Sequence, residues 1–397
     1  MPLSIALISL HTSPDDDPGT GDVGGMNVAV RATALELGEL GHTVDIVTRR
    51  TAPQQASAHK IAANVTVHHL TAGPVERRIK GEHEGFIAEF GTALDAFGDV
   101  DIVHSHHWFS GMAAIDVARR RGIPHVQSFH SIAADVSTPL SEGERPESPG
   151  RMRGEALLAR ESDAVIAVSA AERDTIVNRL GAAPTRVSVV HPGVDSALFT
   201  PLETPTTEHP GYVVVAARLE PLKGLDLAIA ALAAIPAADR PDLVVAGGPT
   251  TGHESYPTEL RTLASDAGIT VRFVGPQSRR DLAVLLRGAR MLLVPSHSET
   301  FGLVALEAAA SGIPVVAMRS GGLVEAVEHG TTGLLIDTRD ASSWTDAISR
   351  LLADPTFATS LGTAGRARAL DFPWRHTALH TLDVYQGLLA GRGRVAS

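Results

Sequence analysis

The chain has 397 residues, 44% of them hydrophobic and 20% charged, with a formal net charge of -11 and no cysteine. That composition belongs to a soluble globular protein with room for two cores, and it excludes a fibrous or disordered chain. The acidic balance argues against nonspecific nucleic-acid or anionic-membrane binding, and the missing cysteines remove disulfides, thiol nucleophiles and thiolate metal sites.

The opening MPLSIALISLHTSP has no basic leader or cleavage signal, and its apolar run is too short to span a bilayer. It reads as a first strand, and the expected location is cytoplasmic. The strands that follow are HTVDIVT, NVTVHHL, DIVHSH, HVQSF, AVIAVS and RVSVV. Segments of helical period alternate with them: GGMNVAVRATALELGELG, EGFIAEFGTALDAF, MAAIDVARRRG, RMRGEALLARES and AERDTIVNRLG. A second series restarts at YVVVAA and runs through DLVVAGG, TVRFVG, MLLVPS, PVVAM and GLLID.

Runs that are apolar on both faces and joined by helical crossovers predict parallel sheets covered on both sides. The polar stretch Thr200 to Pro210 reads as a linker between domains at 1–199 and 211–373. Asp371-Phe372-Pro373-Trp374 breaks the helical tail, and a helix over 374–397 is expected to cross back to the first domain. The loop-rich SIAADVSTPLSEGERPESPG reads as a lid or acceptor loop, with a disordered excursion as the alternative. Two open α/β domains commonly take a ligand at the carboxyl ends of their strands, in a cleft between them. That plan alone leaves dehydrogenases, binding proteins and sugar transferases open.

In the loop HTSPDDDPGTGDVGGMN, Gly19, Gly21, Gly24 and Gly25 lie between the first strand and helix, where free amides can meet a ligand. The spacing is neither GxGxxG nor GxxxxGK[ST], and HTVDIVT runs into Arg49 and Arg50 rather than an acidic ribose reader. A flexible spacer is the plain alternative. HSHHWFSG carries His104, His106 and His107. A metal is not read there, because no further ligand stands at a suitable spacing and alternating histidines can face opposite ways.

His130 ends another strand and is the better candidate for a polar ligand. Lys80 and Arg151 are either solvated charges or, if they converge with Ser131, an anion pocket. In AARLEPLKG, Arg218 and Lys223 suit a diphosphate, the first as a fixed fork and the second as a point charge. GGPTTGHES and VGPQSRRDL offer further backbone amides.

SETFGLVALEAAASG places Glu299 in a turn after a strand and Glu307 inside the helix that follows. Ser298 and Glu299 can be helix-end decoration, with Glu307 on a wet edge. Alternatively the amides of Phe301, Gly302 and Leu303 open the helix toward a ligand, and the two carboxylates accept from vicinal hydroxyls.

This stretch resembles the E-x7-E signature of the GT-B, family 4 retaining glycosyltransferases. VVHPGVD, AARLEPLKG and the Gly-rich loop extend the resemblance over nearly the whole chain. PGTGDVGGMNV, HSHHWFSG, HSIAA and PLKG resemble most the mycothiol-pathway branch, which moves GlcNAc from UDP-GlcNAc to 1D-myo-inositol 3-phosphate. Bacterial sucrose-phosphate synthases and cyclitol glucosyltransferases look similar over the same stretches.

The resemblance implies two Rossmann-like α/β/α domains facing a central cleft, and a UDP-GlcNAc or UDP-glucose co-substrate with no metal required. It gives the ribose to Glu307, the donor sugar to Glu299, and the diphosphate to Arg218 and Lys223, with Gly25 approaching from the facing domain. Phe301, Gly302 and Leu303 supply amides on the donor side, and His130 contacts the transferred sugar.

The acceptor phosphate falls to Asn27, Lys80, His107, Ser131 and Arg151. His107 stands where that branch has Tyr, and Ser131 where it has Thr. Losing the phenol puts the acceptor in question, so an aminocyclitol or a sugar phosphate stays open. The expected partners are a small donor and acceptor, without nucleic acid or integral membrane association; a homodimer is compatible. A non-catalytic sugar-nucleotide binder is the other class, and an NAD-dependent oxidoreductase lacks its fingerprint.

Overall fold

The structure is a computed structural model that describes residues 1–16, 23–202 and 211–393. Gly19 and Gly21, and the linker from 203 to 210, lie outside the described residues. Two compact units divide the chain.

The first unit is built on an eight-stranded sheet in the order β3-β4-β2-β1-β5-β6-β7-β8. Its elements are β1 (Ser4–Ser9), α1 (Gly25–Glu39), β2 (Thr43–Arg49), β3 (Ala58–Ala62), β4 (Val65–Leu70), α2 (Ile87–Asp95) and β5 (Ile102–His106), then α3 (Trp108–Arg121), β6 (His125–Ser128), α4 (Arg151–Glu161), β7 (Ala164–Ala167), α5 (Ala170–Asn178) and β8 (Val187–Val189). All neighbouring pairs are parallel except β3 with β4. The apolar runs bury both faces: Ile8, Phe90, Phe109 and Leu158 lie in one core, and Ile5, Leu7, Val44 and Ile166 in another.

The second unit carries a six-stranded parallel sheet in the order β11-β10-β9-β12-β13-β14. In chain order it comprises β9 (Tyr212–Ala216), α6 (Leu225–Ala233), β10 (Leu243–Ala246), α7 (Tyr256–Asp266), β11 (Val271–Gly275), α8 (Arg279–Arg287) and β12 (Ala289–Val294), followed by α9 (Leu303–Ala310), β13 (Val315–Met318), α10 (Leu323–Ala326), β14 (Gly333–Ile336), α11 (Ala341–Ala353) and α12 (Pro355–Ala369). The last helix, α13 (Trp374–Gly393), belongs to the first unit, where it packs on α1 and puts Tyr385 in the core with Leu37 and Val126.

The first stretch of the first unit runs to Pro192, short of the bound of 199 read from the sequence. The reason is hydrogen bonding: Val194 N–H donates to Phe372 O, and Arg366 donates to the carbonyls of Ser196 and Phe199. These bonds tie VDSALF to the second sheet's helices. Every strand anticipated from the sequence is present; β3 is an addition. It is a half-exposed antiparallel edge without an apolar run, so periodicity gives it no signal.

Among the parallel strands of each sheet the chain reverses its direction of addition once, between β1 and β5 in the first unit and between β9 and β12 in the second. Loops diverge at such points and leave a crevice beyond the carboxyl ends of the strands.

Candidate active site

In the second unit the loops after β9 and β12 meet at this reversal. His297 N–H donates to Leu222 O at 2.8 Å, which sets the two loops side by side. Lys223 Nζ then reaches Glu299 Oε1 at 2.7 Å, and Ser296 Oγ donates to the same oxygen at 3.0 Å. Arg218 Nη2 lies 3.0 Å from Glu220 Oε1, while Glu220 Oε2 accepts from Thr250 Oγ1 at 3.3 Å. Each cation that suits a diphosphate thus stands beside a carboxylate.

Gly302 takes left-handed backbone, φ +95°, and begins α9; Leu303 is the helix's first residue and Phe301 is buried before it. The backbone of Glu299 is fixed by a turn that the sequence reading passed over. Gly322 N–H donates to Glu299 O at 2.9 Å, and a Cβ on Gly321 (φ +51°) would lie 2.0 Å from that carbonyl. Only glycine admits so close an approach.

Glu307 is 3% exposed, so the wet-edge alternative fails. Its charge is met by Arg279, the first residue of α8, which also lies over the Phe199 ring at 4.7 Å. Burial holds the Glu307 carboxyl above its ordinary range, an effect that Arg279 offsets only in part. The sequence reading used VGPQSRRDL for its backbone amides and missed this guanidinium.

In the first unit, the ends of β5 and β6 carry the two non-glycine residues with positive φ among those described: His107 at +69° and His130 at +61°. Such backbone costs energy and persists where surroundings enforce it, often at functional positions. His107 N–H donates to Ser128 O at 2.9 Å, and the His130 N–H bonds the buried Glu172 carboxylate. His130 Nε2 meets His106 Nδ1 at 2.8 Å, and burial pushes His130 down to about 4, so its ring is neutral near pH 7.

His104 and His106 do not face opposite ways as the alternating pattern allowed. Two residues apart on one strand, they share a face, with ring centroids 4.2 Å apart. His104 Nε2 lies 2.9 Å from Ser128 Oγ, whose hydroxyl proton goes to Ile166 O. His104 Nε2 is therefore the donor, and its Nδ1 accepts from Tyr385 Oη–H at 2.7 Å.

Four of the five proposed acceptor readers come together. Arg151 is fully buried and pairs with Glu144, Glu147 and Glu155, its Nε standing 2.7 Å from Glu155. Burial works against that charge, but the three carboxylates outweigh it and hold the guanidinium above its ordinary range. Its Nη2 donates to Ser131 Oγ at 3.0 Å, and Lys80 Nζ donates to Glu144 at 3.0 Å.

His107 Nε2 lies 4.0 Å from Glu147, and neither ring nitrogen has a hydrogen-bond partner. Its pKa falls well below the ordinary value, through burial first and then through His11, Lys80 and Arg151. Asn27 has its amide engaged elsewhere. Its Nδ2 donates to Thr12 Oγ1 and Ser13 O, both at 2.9 Å, and its Oδ1 accepts from Gly24 N–H across the start of α1, where Gly25 is the first residue.

Two further histidines were missed. The His11 ring lies 4.4 Å from that of His107, with Nδ1 unpaired. His83 donates from Nδ1 to the carbonyls of Ile79 and Lys80, leaving Nε2 a bare acceptor. His107, Glu144 and Glu147 also offer ligand atoms within 4.8 Å of one another, a set the metal reading did not anticipate. Arg151 and Lys80 already compensate both carboxylates.

Residues 202–368 match the family described as glycosyl transferases group 1, and residues 23–198 match glycosyltransferase family 4. A D-inositol 3-phosphate glycosyltransferase of Nocardioides sp. is 39% identical over 96% of this chain and 89% of its own. This chain belongs to the family 4 glycosyltransferases. The D-inositol 3-phosphate glycosyltransferase of Salinispora arenicola is 38% identical, covering 100% of this chain and 94% of its own.

Among solved structures, the sucrose-phosphate synthase of Thermosynechococcus elongatus superposes with a TM-score of 0.87 at 30% identity, over 98% of this chain and 100% of that one. Anabaena HepE in complex with UDP and glucose superposes at 0.76 and 20% identity, over 97% and 99%. The GT-B architecture is thereby established, and this family 4 transferase is an enzyme that uses a nucleotide sugar. No described helix is long and apolar enough to cross a membrane.

Proposed function

We propose that this chain moves a hexosyl group, GlcNAc or glucose, from a uridine diphosphate sugar to a small cyclitol acceptor, with retention at the anomeric carbon. The acceptor to expect first is 1D-myo-inositol 3-phosphate. The observation that carries it is Lys80, Ser131 and Arg151 meeting at one oxygen, the three donors that a phosphate in that place would need. The names of the Nocardioides and Salinispora relatives support it.

Breaking the glycosyl bond builds positive charge on the sugar and negative charge on the departing diphosphate. Arg218, Lys223 and the amides at the start of α9 take up the negative charge, and these fixed cations serve where other transferases use a metal. Glu299 and Glu307 accept from sugar and ribose hydroxyls. The acceptor hydroxyl attacks from the face the diphosphate leaves, a phosphate oxygen receives its proton, and no carboxylate acts as nucleophile. Neutral His130 holds the transferred sugar by a hydrogen bond.

One observation favours a second reading of the acceptor. Around two cations, Lys80 and Arg151, stand three carboxylates, Glu144, Glu147 and Glu155, and burial leaves His107 neutral. That balance suits an aminocyclitol, while a sugar phosphate fits the likeness to a sucrose-phosphate synthase.

The test incubates the protein with UDP-GlcNAc or UDP-glucose and a panel of cyclitols and sugar phosphates, reading UDP release together with product mass. Glycosylated inositol phosphate is the expected product. Product from another acceptor alone would overturn the acceptor assignment.

A further inference from the structure

We infer that Glu144 occupies the anion subsite of the acceptor pocket and sets which acceptors the enzyme takes. The inference rests on the acceptor reading above and deepens it. One oxygen of this side chain, Oε1, accepts from Lys80 Nζ at 3.0 Å, from Ser131 Oγ at 3.0 Å and from Arg151 Nη1. Those are the donors an acceptor phosphate would use.

The carboxylate is delivered by a built turn. Ala134 N–H donates to Glu144 O at 2.9 Å, Ala133 pairs with Glu144 in a β-bridge, and Gly143 (φ +134°) passes so close that a Cβ would lie 2.5 Å from Ile132 O. The other two carboxylates on Arg151 have anchors of their own. Glu147 accepts from Trp108 Nε1 at 2.8 Å, and Glu155 from Ala133 N–H at 3.1 Å.

If Glu144 swings away, Arg151 therefore stays in place between Glu147 and Glu155 and still donates to Ser131 Oγ, while Lys80, left 4.0 Å from Glu147, and the Ser131 hydroxyl proton can turn to an incoming anion. An anionic acceptor must displace an internal anion and then tolerate its charge nearby, whereas an uncharged cyclitol meets no such competitor. Glu144 is in this sense a specificity-determining residue.

The test measures binding of inorganic phosphate, 1D-myo-inositol 3-phosphate and myo-inositol by titration calorimetry, in wild type and Glu144→Gln. Gln keeps the size and removes the charge, so both anions should bind roughly tenfold tighter or more, with myo-inositol unchanged. Unchanged or weaker anion binding in the folded variant would overturn the inference.

Lys80→Ala keeps the question open to refutation should E144Q not fold. It removes a donor shared by Glu144 and the anion, so phosphate affinity should fall while myo-inositol binding holds, and an unaffected phosphate affinity would sink the idea. Transfer is read separately as UDP release. Turnover of inositol phosphate with no change in anion affinity on E144Q defeats this inference alone. Absence of turnover with any acceptor, alongside the expected gain in anion affinity, defeats the function reading alone.

Discussion

Replacing Glu172 with Gln should stabilise the protein in alkaline solution and leave it nearly unchanged in acid. Glu172 is the third residue of α5, where its N–H is capped by Ser169 Oγ at 3.0 Å. Its carboxylate turns back to accept from Val168 N–H at 2.7 Å and from the His130 N–H. Burial pushes its pKa from 4.5 up to about 7; the backbone donors oppose the rise and Glu155 adds to it.

The folded state therefore favours the protonated form. Stability is fullest below the unfolded value of 4.5 and is lost as pH rises through about 7. At about 1.4 kcal/mol per unit the gap amounts to about 3 kcal/mol above pH 7, and under about 1 kcal/mol at pH 5. Gln carries no charge at either pH and keeps an acceptor oxygen for Val168 and His130. Thermal melts of wild type and E172Q at pH 5 and pH 8 measure the difference, with all other titrating groups in common. In a unit of this size the variant should gain roughly 6–12 °C at pH 8 and much less at pH 5. An advantage that stays flat or shrinks with rising pH would refute the argument.

Glu307→Gln should weaken UDP binding by about tenfold or more in calorimetry, since it removes the charged acceptor and leaves Arg279 unpaired; unchanged affinity would dismiss the ribose contact. Tyr385→Phe deletes the hydroxyl that donates to His104, and should cost about 1–2 kcal/mol in chemical denaturation. Gly321→Ala should lower transfer by at least about tenfold, because strain of about 1–3 kcal/mol and a clash at the Glu299 carbonyl displace that carboxylate. Equal rates would place Glu299 outside the donor site.

The sheets were legible because buried parallel strands write themselves as apolar runs, and SIALIS and YVVVA could hardly be anything else. The pair Glu299 and Glu307 was legible because a carboxylate inside an apolar helix demands a partner. What supplies the partner was not. Arg279 stands 28 residues from Glu307, and a basic pair at a helix start reads as a solvated face until the fold brings α8 against α9. Glu144 and Glu147 lie in the segment read only as a lid, acceptor loop or excursion; their meaning depends on Arg151 being fully buried beside them. His11 and His83 matter only through the His107 and Phe109 rings they approach, distances that no local spacing encodes.

The bond from Tyr385 to His104 joins residues 281 positions apart, and it closes a unit whose chain is interrupted by the whole of the other. On the ribosome, the first sheet must therefore wait for its final helix while Gly193–Pro373 is synthesised. At ordinary rates of synthesis that wait lasts roughly 10–35 seconds. Through it, the α1 surface that α13 will cover stays open to solvent, and His104 lacks the hydroxyl that completes its hydrogen bonds. The inserted unit can finish folding before the unit that began first. The strained backbone at His107 and His130 is held by Ser128 and Glu172, within the part made first, whereas the hydrogen bond that completes His104 must wait for Tyr385.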